Sequence, residues 1–179
     1  MHSLPEFRAQ TAAGREIHTV FNSTTGLRLN CDFAFWGESM DIWHSPINLA
    51  RLQSWCNGTA VEHLGIEFTD FGADWLAARM PVDHRTIQPF RLLHGGASVL
   101  LAESLGSCAA NLCVDEAKRF CVGQEINANH LRAVRQGYVT GRTSPIHLGR
   151  TSQVWEIRIT SEAGELTCIS RLTMAVLDR

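Results

Sequence analysis

The chain has 179 residues, 45% hydrophobic and 19% charged, a composition that folds around a core and excludes a disordered protein. Sixteen basic against 18 acidic residues leave a net charge of −2, so no global field favours nucleic acid or another polyanion. No apolar run reaches the ~20 residues of a membrane helix, and the N-terminus lacks the pattern of a secretion signal. The six cysteines, Cys31, Cys56, Cys108, Cys113, Cys121 and Cys168, form no C-x-x-C pair and read as reduced thiols of a cytoplasmic protein.

Residues 1–39 show no sustained period: Gly14, Gly26, the Asn22-Ser23-Thr24-Thr25 cluster and the isolated Phe21 and Trp36 fit neither helix nor strand. They read as an N-terminal extension, with Met40 a candidate start for a single folded domain at 40–179. Ser45-Pro46 opens a predicted helix carrying Leu49, Leu52 and Trp55 toward Gly58. Leu64, Ile66 and Phe68 alternate as a strand, Gly72-Ala73-Asp74 turns, and Trp75 to Met80 returns as its hairpin partner until Pro81. A loop from Asp83 to Leu93 leads into the longest helix candidate, Gly95 to Cys113, where Glu103 is the only charged residue between Arg91 and Asp115. Strands follow at 119–131, 138–143, 152–160 and 166–177, with Trp155, Ile157 and Ile159 on one face and Glu156 and Arg158 on the other. Four closely spaced strands after one core helix predict an α+β fold with an antiparallel sheet wrapped around the helix.

Chemistry concentrates at the head of that helix. Gly95 and Gly96 present backbone N–H groups without intrahelical acceptors, and without a Cβ a ligand oxygen can approach them as in an oxyanion hole. Glu103 lies among Ala, Leu and Gly, where an ionised carboxylate needs either a partner or a cavity. Ser107 follows at i+4, within reach of that carboxylate. Gly95 and Glu103 are eight residues apart, hence about 12 Å along one helix at ~1.5 Å per residue, while an oxyanion donor and a base both need to lie ~3 Å from one carbonyl. The spacing therefore predicts a two-fold dimer in which each site takes Gly95 from one subunit and Glu103 from the other. Ser98 with His94 makes no nucleophile elbow, and the histidines show no metal-ligand spacing, so neither metal nor cofactor is expected. Arg132, Arg135, Arg142 and Arg150 are candidates for meeting the phosphates of an anionic carrier, with an ordinary solvated face as the alternative.

From Met40 onward the stretches Met80-Pro81-Val82-Asp83, Gln88-Pro89-Phe90, Leu92-Leu93-His94-Gly95-Gly96-Ala97-Ser98, Ala102-Glu103-Ser104-Leu105-Gly106-Ser107, Glu125-Ile126-Asn127-Ala128-Asn129-His130 and Pro145-Ile146-His147-Leu148-Gly149 resemble the hotdog-fold acyl-CoA thioesterases of the phenylacetate-degradation type. The likeness is greatest to the branch acting on 1,4-dihydroxy-2-naphthoyl-CoA in menaquinone biosynthesis and to its relative that clears mischarged aryl groups in enterobactin synthesis. The resemblance implies a hotdog fold, a homotetramer built as a dimer of dimers with sites at the subunit interface, and hydrolysis of an acyl-CoA substrate. It further implies Glu103 as the catalytic carboxylate, Gly95 N–H on the thioester carbonyl, Gln88 positioning thioester or water, Ser107 orienting Glu103, and His94 in the same site. His130, Gly96, Arg132, Arg135, His147 and Gly149 are the implied substrate-binding residues. Arg91 departs from the pattern, which has a small residue there, usually Gly. A thioesterase acting on a carrier-protein-bound aryl group and a non-catalytic acyl-CoA sensor remain as alternatives, whereas a hotdog hydratase lacks the Asp–His pair it would need.

Overall fold

The computed structural model describes residues 7–10, 16–21, 28–30 and 41–179, and the chain divides into two compact units, Met1–Ser39 and Met40–Arg179. In the first unit, β1 (Phe7–Gln10), β2 (Glu16–Phe21) and β3 (Arg28–Asn30) pair antiparallel in that order. The expectation that residues 1–39 form neither helix nor strand is corrected by these three short strands. The Asn22–Thr25 cluster, Gly14, Gly26, Trp36 and Met40 lie outside the described residues.

In the second unit α1 (Leu49–Trp55) begins later than Ser45-Pro46 predicts, because Asn48 caps it by accepting from Arg51 N at 2.9 Å. A single-turn helix α2 (Ala60–His63), capped by Thr59, takes Leu64 as its own C-cap. The next strand, β4 (Glu67–Phe71), therefore starts three residues after Leu64 and pairs with β5 (Leu76–Pro81). Gln53 joins α1 to this hairpin, donating to Ile66 O at 3.1 Å and accepting from Phe68 N at 3.0 Å.

Helix α3 (Gly95–Leu112) ends one residue before the predicted Cys113, which is its C-cap. After it come β6 (Arg119–His130), β7 (Tyr138–Leu148), β8 (Ser152–Ser161) and β9 (Leu166–Asp178), and the sheet runs β4-β5-β7-β8-β9-β6, antiparallel throughout. This is the α+β hotdog arrangement, one long helix packed on a six-stranded antiparallel sheet. β7 continues past the predicted Thr143 because a register shift between Pro145 and His147 lets the proline sit in the strand without a ladder hydrogen bond.

The sheet-facing side of α3 carries Ala97, Ser98, Leu101, Ala102, Leu105, Gly106, Ala109 and Ala110, all buried. Small residues let the helix axis come close: a Cβ on Gly106 would reach Leu172 Cδ2 at 2.5 Å. Beneath the helix lie Trp155, Ile157, Ile159, Leu172 and Met174, each with no exposed surface, and the Trp155 indole N–H is satisfied by Gln153 Oε1 at 3.0 Å. Asn111, near the helix C-terminus, holds β6 by accepting from Cys121 N at 2.9 Å and donating to Cys121 O at 3.1 Å.

The loop that delivers α3 is pinned at both ends. Arg85 pairs with Asp83 at 2.6 Å and holds its carboxyl down to about 2, and the buried Thr86 hydroxyl donates to Pro81 O at 2.7 Å. Thr86 O in turn accepts from His94 N at 2.8 Å, and Leu93 N donates to Val134 O at 2.8 Å. Between these anchors Gln88–Leu92 makes a tight hairpin, with Arg91 N donating to Gln88 O and Gln88 N donating to Leu92 O, both at 2.8 Å. Arg91 sits at φ 62, the left-handed region that follows a type I turn in such hairpins, so the position favours glycine on steric grounds. Replacing Arg91 by Gly should raise stability by roughly 0.5–1 kcal/mol, read as an increased urea midpoint at unchanged slope.

Candidate active site

His94 is the N-cap of α3, with φ −71 and ψ 130, and its Nδ1 accepts from Gly96 N at 2.8 Å. One of the two predicted glycine amides is thus already occupied. Ala97 N and Ser98 N both donate to His94 O, at 3.0 and 3.1 Å. Gly95 N–H has no acceptor among the described residues and stands at the positive end of the helix. A Cβ at Gly95 would reach His130 Nε2 at 2.7 Å, so His130 at the end of β6 lies directly against this glycine's Cα. Gln88, Gly95, Ser98, His130 and Arg132 line one hollow of about 310 Å³. Gln88 Oε1 accepts from Phe90 N, which leaves its Nε2 protons for another acceptor.

Glu103 opens on a different hollow. It is half-buried rather than sequestered, and among the described residues no Lys, Arg or His nitrogen lies within ion-pair distance of its carboxylate. With Trp55, Cys56, Val61, Leu100 and Ser107 it lines an apolar groove of about 540 Å³ between α3, α1 and α2. A Cβ at Gly123 would meet Glu103 Oε1 at 2.8 Å, so the carboxylate rests against the backbone of β6. Ser107 shares the groove, but its hydroxyl points at Met174 Sδ, 3.8 Å away, and makes no hydrogen bond to Glu103. The i+4 spacing brings the two onto one helix face, and the thioether then draws the hydroxyl inward.

The strand that joins these features is an edge. Among the described residues β6 pairs only with β9, on one side, and its stretch Val122–Glu125 is exposed, with Val122 at 40%. Its register against β9 shifts between Gly123 and Glu125. This bulge changes the phase of the pleat, so that Gly123 faces Glu103 while Ile126 and Ala128 pack on the core and His130 faces Gly95. A long unprotected edge of this kind is a template for another strand.

Other predicted residues fall elsewhere. Arg132 donates to Leu166 O at 2.9 Å and lies 3.6 Å from Glu165, at the mouth of the first hollow, while Arg135 is exposed on the loop after β6. Arg142 stacks on Trp75 at 4.3 Å, and Arg150 O accepts from Arg119 at 3.2 Å. His147 packs on Gly149 in the β7–β8 turn, and Gly149 shares a hollow with Cys113 and Val114 at the C-terminal end of α3. In this chain neither reaches Gly95 or Glu103. The sequence reading did not single out Trp55, Cys56, Val61, Leu100 or Cys108 as groove residues. Leu100 follows from the helical face of Glu103, whereas α1 and α2 contribute through tertiary packing alone.

The profile of the Thioesterase superfamily matches residues 90–168, the stretch holding the head of α3, Glu103 and the β6 edge. The chain is 54% identical over 136 residues to the 1,4-dihydroxy-2-naphthoyl-CoA hydrolase of Escherichia coli, covering 76% of this chain and 99% of that enzyme. It is also 54% identical over 136 residues to the proofreading thioesterase EntH of Cronobacter turicensis, covering 76% and 98%. The crystal structure of a mutant thioesterase from Pseudomonas aeruginosa superimposes with a TM-score of 0.76 at 51% identity, covering 77% of this chain and 99% of that one. The chain therefore belongs to the hotdog-fold thioesterase superfamily, is a thioester hydrolase, and is closely related to the dihydroxynaphthoyl-CoA hydrolases and the EntH-type proofreading enzymes.

Proposed function

We propose that this thioesterase hydrolyses aryl-CoA thioesters of the naphthoyl or benzoyl type in the cytoplasm, in the manner of the menaquinone-pathway branch, using Glu103 of one subunit and the Gly95 amide of another. The observation that carries this reading is an acid without a cationic partner and an amide without an acceptor, lining different hollows of one chain. The apolar groove beside Glu103 suits a flat acyl group, and Arg132 at the other hollow, with Arg135 exposed on the loop beyond it, suits the phosphates of the carrier.

The free edge of β6 supplies the assembly. A two-fold antiparallel pairing centred on Asn127 sets the partner's His130 opposite the bulged Gln124, next to Gly123, and Gly123 and His130 each face their own α3. Neighbouring strands lie ~4.8 Å apart, so the Gly95 amide of one subunit comes beside the Glu103 carboxylate of the other. Two such dimers make the dimer of dimers that the family resemblance implies.

In that site the thioester carbonyl oxygen accepts from Gly95 N–H at the head of α3, where the helix field favours the growing negative charge. Glu103 takes a proton from water as general base, or attacks the carbonyl itself. The thiolate leaves without an acid, so one carboxylate and one well-placed donor suffice. Gln88 holds thioester or water through its free Nε2 protons. His94, by occupying Gly96 N–H, directs the oxyanion to Gly95. Gly96 and His130 border the acyl carbonyl, and Ser107 contacts the far side of the acyl ring.

Hydrolysis of benzoyl-CoA, followed by release of free thiol, should fall about 10³-fold in kcat for Glu103→Gln, with the unfolding midpoint nearly unchanged because no ion pair is lost. Wild-type turnover by this variant would remove Glu103 from the chemistry. Gly95→Pro deletes the amide proton at a position where helices accept proline, after a residue already extended at ψ 130, and its Cβ pushes on the end of the His130 side chain, an effect that Gly95→Ala shares while keeping the amide proton. Its kcat should fall 10²–10³-fold. Equal mixing of inactive Glu103→Ala and Gly95→Pro chains should restore roughly a quarter of wild-type activity, since each mixed dimer regains one intact site. A site built within one chain recovers nothing on mixing.

A further inference from the structure

Beyond Ser107 the groove that Glu103 lines adjoins another hollow, of about 340 Å³, which the proposed hydrolysis does not use. Trp55, Ser107 and Cys108 wall both, so the two share a border along α3. Charge changes across that border. Glu103 is the one charged side chain lining the groove, whereas the hollow gathers Arg51 of α1, Arg119 at the start of β6 and Arg179 after β9 against a single side-chain carboxylate, Glu116.

The guanidinium groups are held in place without being saturated. Arg51 lies over the Trp55 ring at 5.2 Å and pairs with Glu116 at 2.9 Å, both partners exposed. Arg119 lies 3.2 Å from the exposed Asp178 and donates to Arg150 O at 3.2 Å, and Arg179 lies over the Phe120 ring at 5.9 Å. Exposed ion pairs hold weakly, and each guanidinium has five N–H donors, so donors remain for an incoming anion. The Asn111 amide in the same wall is committed: it donates to Ser107 O and Cys121 O and accepts from Cys121 N. What the hollow offers a ligand is positively charged donors.

Helix geometry sets how far this hollow lies from the chemistry. At ~1.5 Å per residue, Ser107 stands about 6 Å and Asn111 about 12 Å beyond Glu103 along α3. A single ring attached to the thioester carbonyl ends near Ser107, whereas an extended eight-carbon acyl chain spans about 8 Å and carries its far end into the hollow. We propose that Arg51, Arg119 and Arg179 form an anion subsite at the far end of the acyl groove, selecting acyl groups that end in a carboxylate one to two helical turns from the thioester carbonyl: monothioesters of dicarboxylic acids, aromatic ones included. The subsite rests on the reading of the Glu103 groove as the place where the acyl group lies. Hydrolysis there breaks the C–S bond, water giving its oxygen to the acyl carbon and a proton to the departing thiolate, so that a dicarboxylic acid and free coenzyme A leave. An acyl chain ending in a methyl group leaves the arginines without a partner, and a site built for a charged group discriminates against the analogue that lacks it.

The test compares octanoyl-CoA with the coenzyme A monothioester of octanedioic acid, which share eight acyl carbons and differ at the far end. With the full-length protein, kcat/KM should favour the carboxylated chain about tenfold or more. That ratio should fall toward one in Arg119→Gln and in Arg51→Gln, and below one in Arg119→Glu; being a ratio, it does not depend on the fraction of folded protein. Equal kcat/KM for the two chains in the wild type overturns the proposal. A preference that survives both glutamine variants overturns it too, and a loss shared equally by the two thioesters marks the arginines as contacts to the carrier instead. Glu103→Gln is assayed alongside. If it is inactive while the wild type cleaves both chains equally, the anion subsite falls and the groove stands; if it turns over at the wild-type rate, the groove falls and the subsite with it.

Discussion

Everything about this site follows from the rigidity of one helix. α3 places an unpaired amide at its first residue and an uncompensated carboxylate two turns further on, and a helix can neither shorten nor fold back to bring them together. Chemistry that needs both groups at one carbonyl must find the second group on another chain. The strand beside the helix is suited to that need: β6 meets Gly95 through His130 and the carboxylate through Gly123, and among the described residues its outer edge is unpaired.

The rest of the fold holds that helix in place. Its sheet-facing side is made of alanine, glycine, serine and leucine, so the sheet approaches closely and every carbon there is covered. Polar groups in the same region are satisfied one by one: Asn111 ties the helix to Cys121 of β6, Gln153 receives the Trp155 indole, and Thr86 bonds to Pro81 under the entry loop. The entry loop carries one local conflict, Arg91 in a left-handed conformation, and the surrounding hydrogen bonds from Gln88, Leu92 and His94 hold it there. His94 shows how a cap can serve chemistry. By accepting from Gly96 it leaves Gly95 as the single free donor at the helix head.

The outer face of α3 has a different character. There Glu103, Ser107 and Cys108 look across a groove to Trp55, Cys56 and Val61 from two short helices that the sheet does not cover. Sulfur, hydroxyl and carboxylate share a space bounded mostly by hydrocarbon.

Read by itself, the amino-acid sequence determined the class of the fold, the extent of α3 and the four strands after it, and marked Gly95 and Glu103 as candidates, because helical periodicity, strand alternation and a lone acid among small apolar residues are local signals. The family resemblance also marked Arg91 as out of pattern, and φ 62 gives the steric reason. Only the tertiary structure decided that Gly96 N–H is taken by His94, that Ser107 turns to Met174, that His147 and Gly149 lie at the far end of α3, and that a bulge at Gln124 turns Gly123 and His130 toward the same helix. Each of these depends on atoms brought together from distant parts of the chain or on a one-residue shift in register, and neither leaves a period in the sequence.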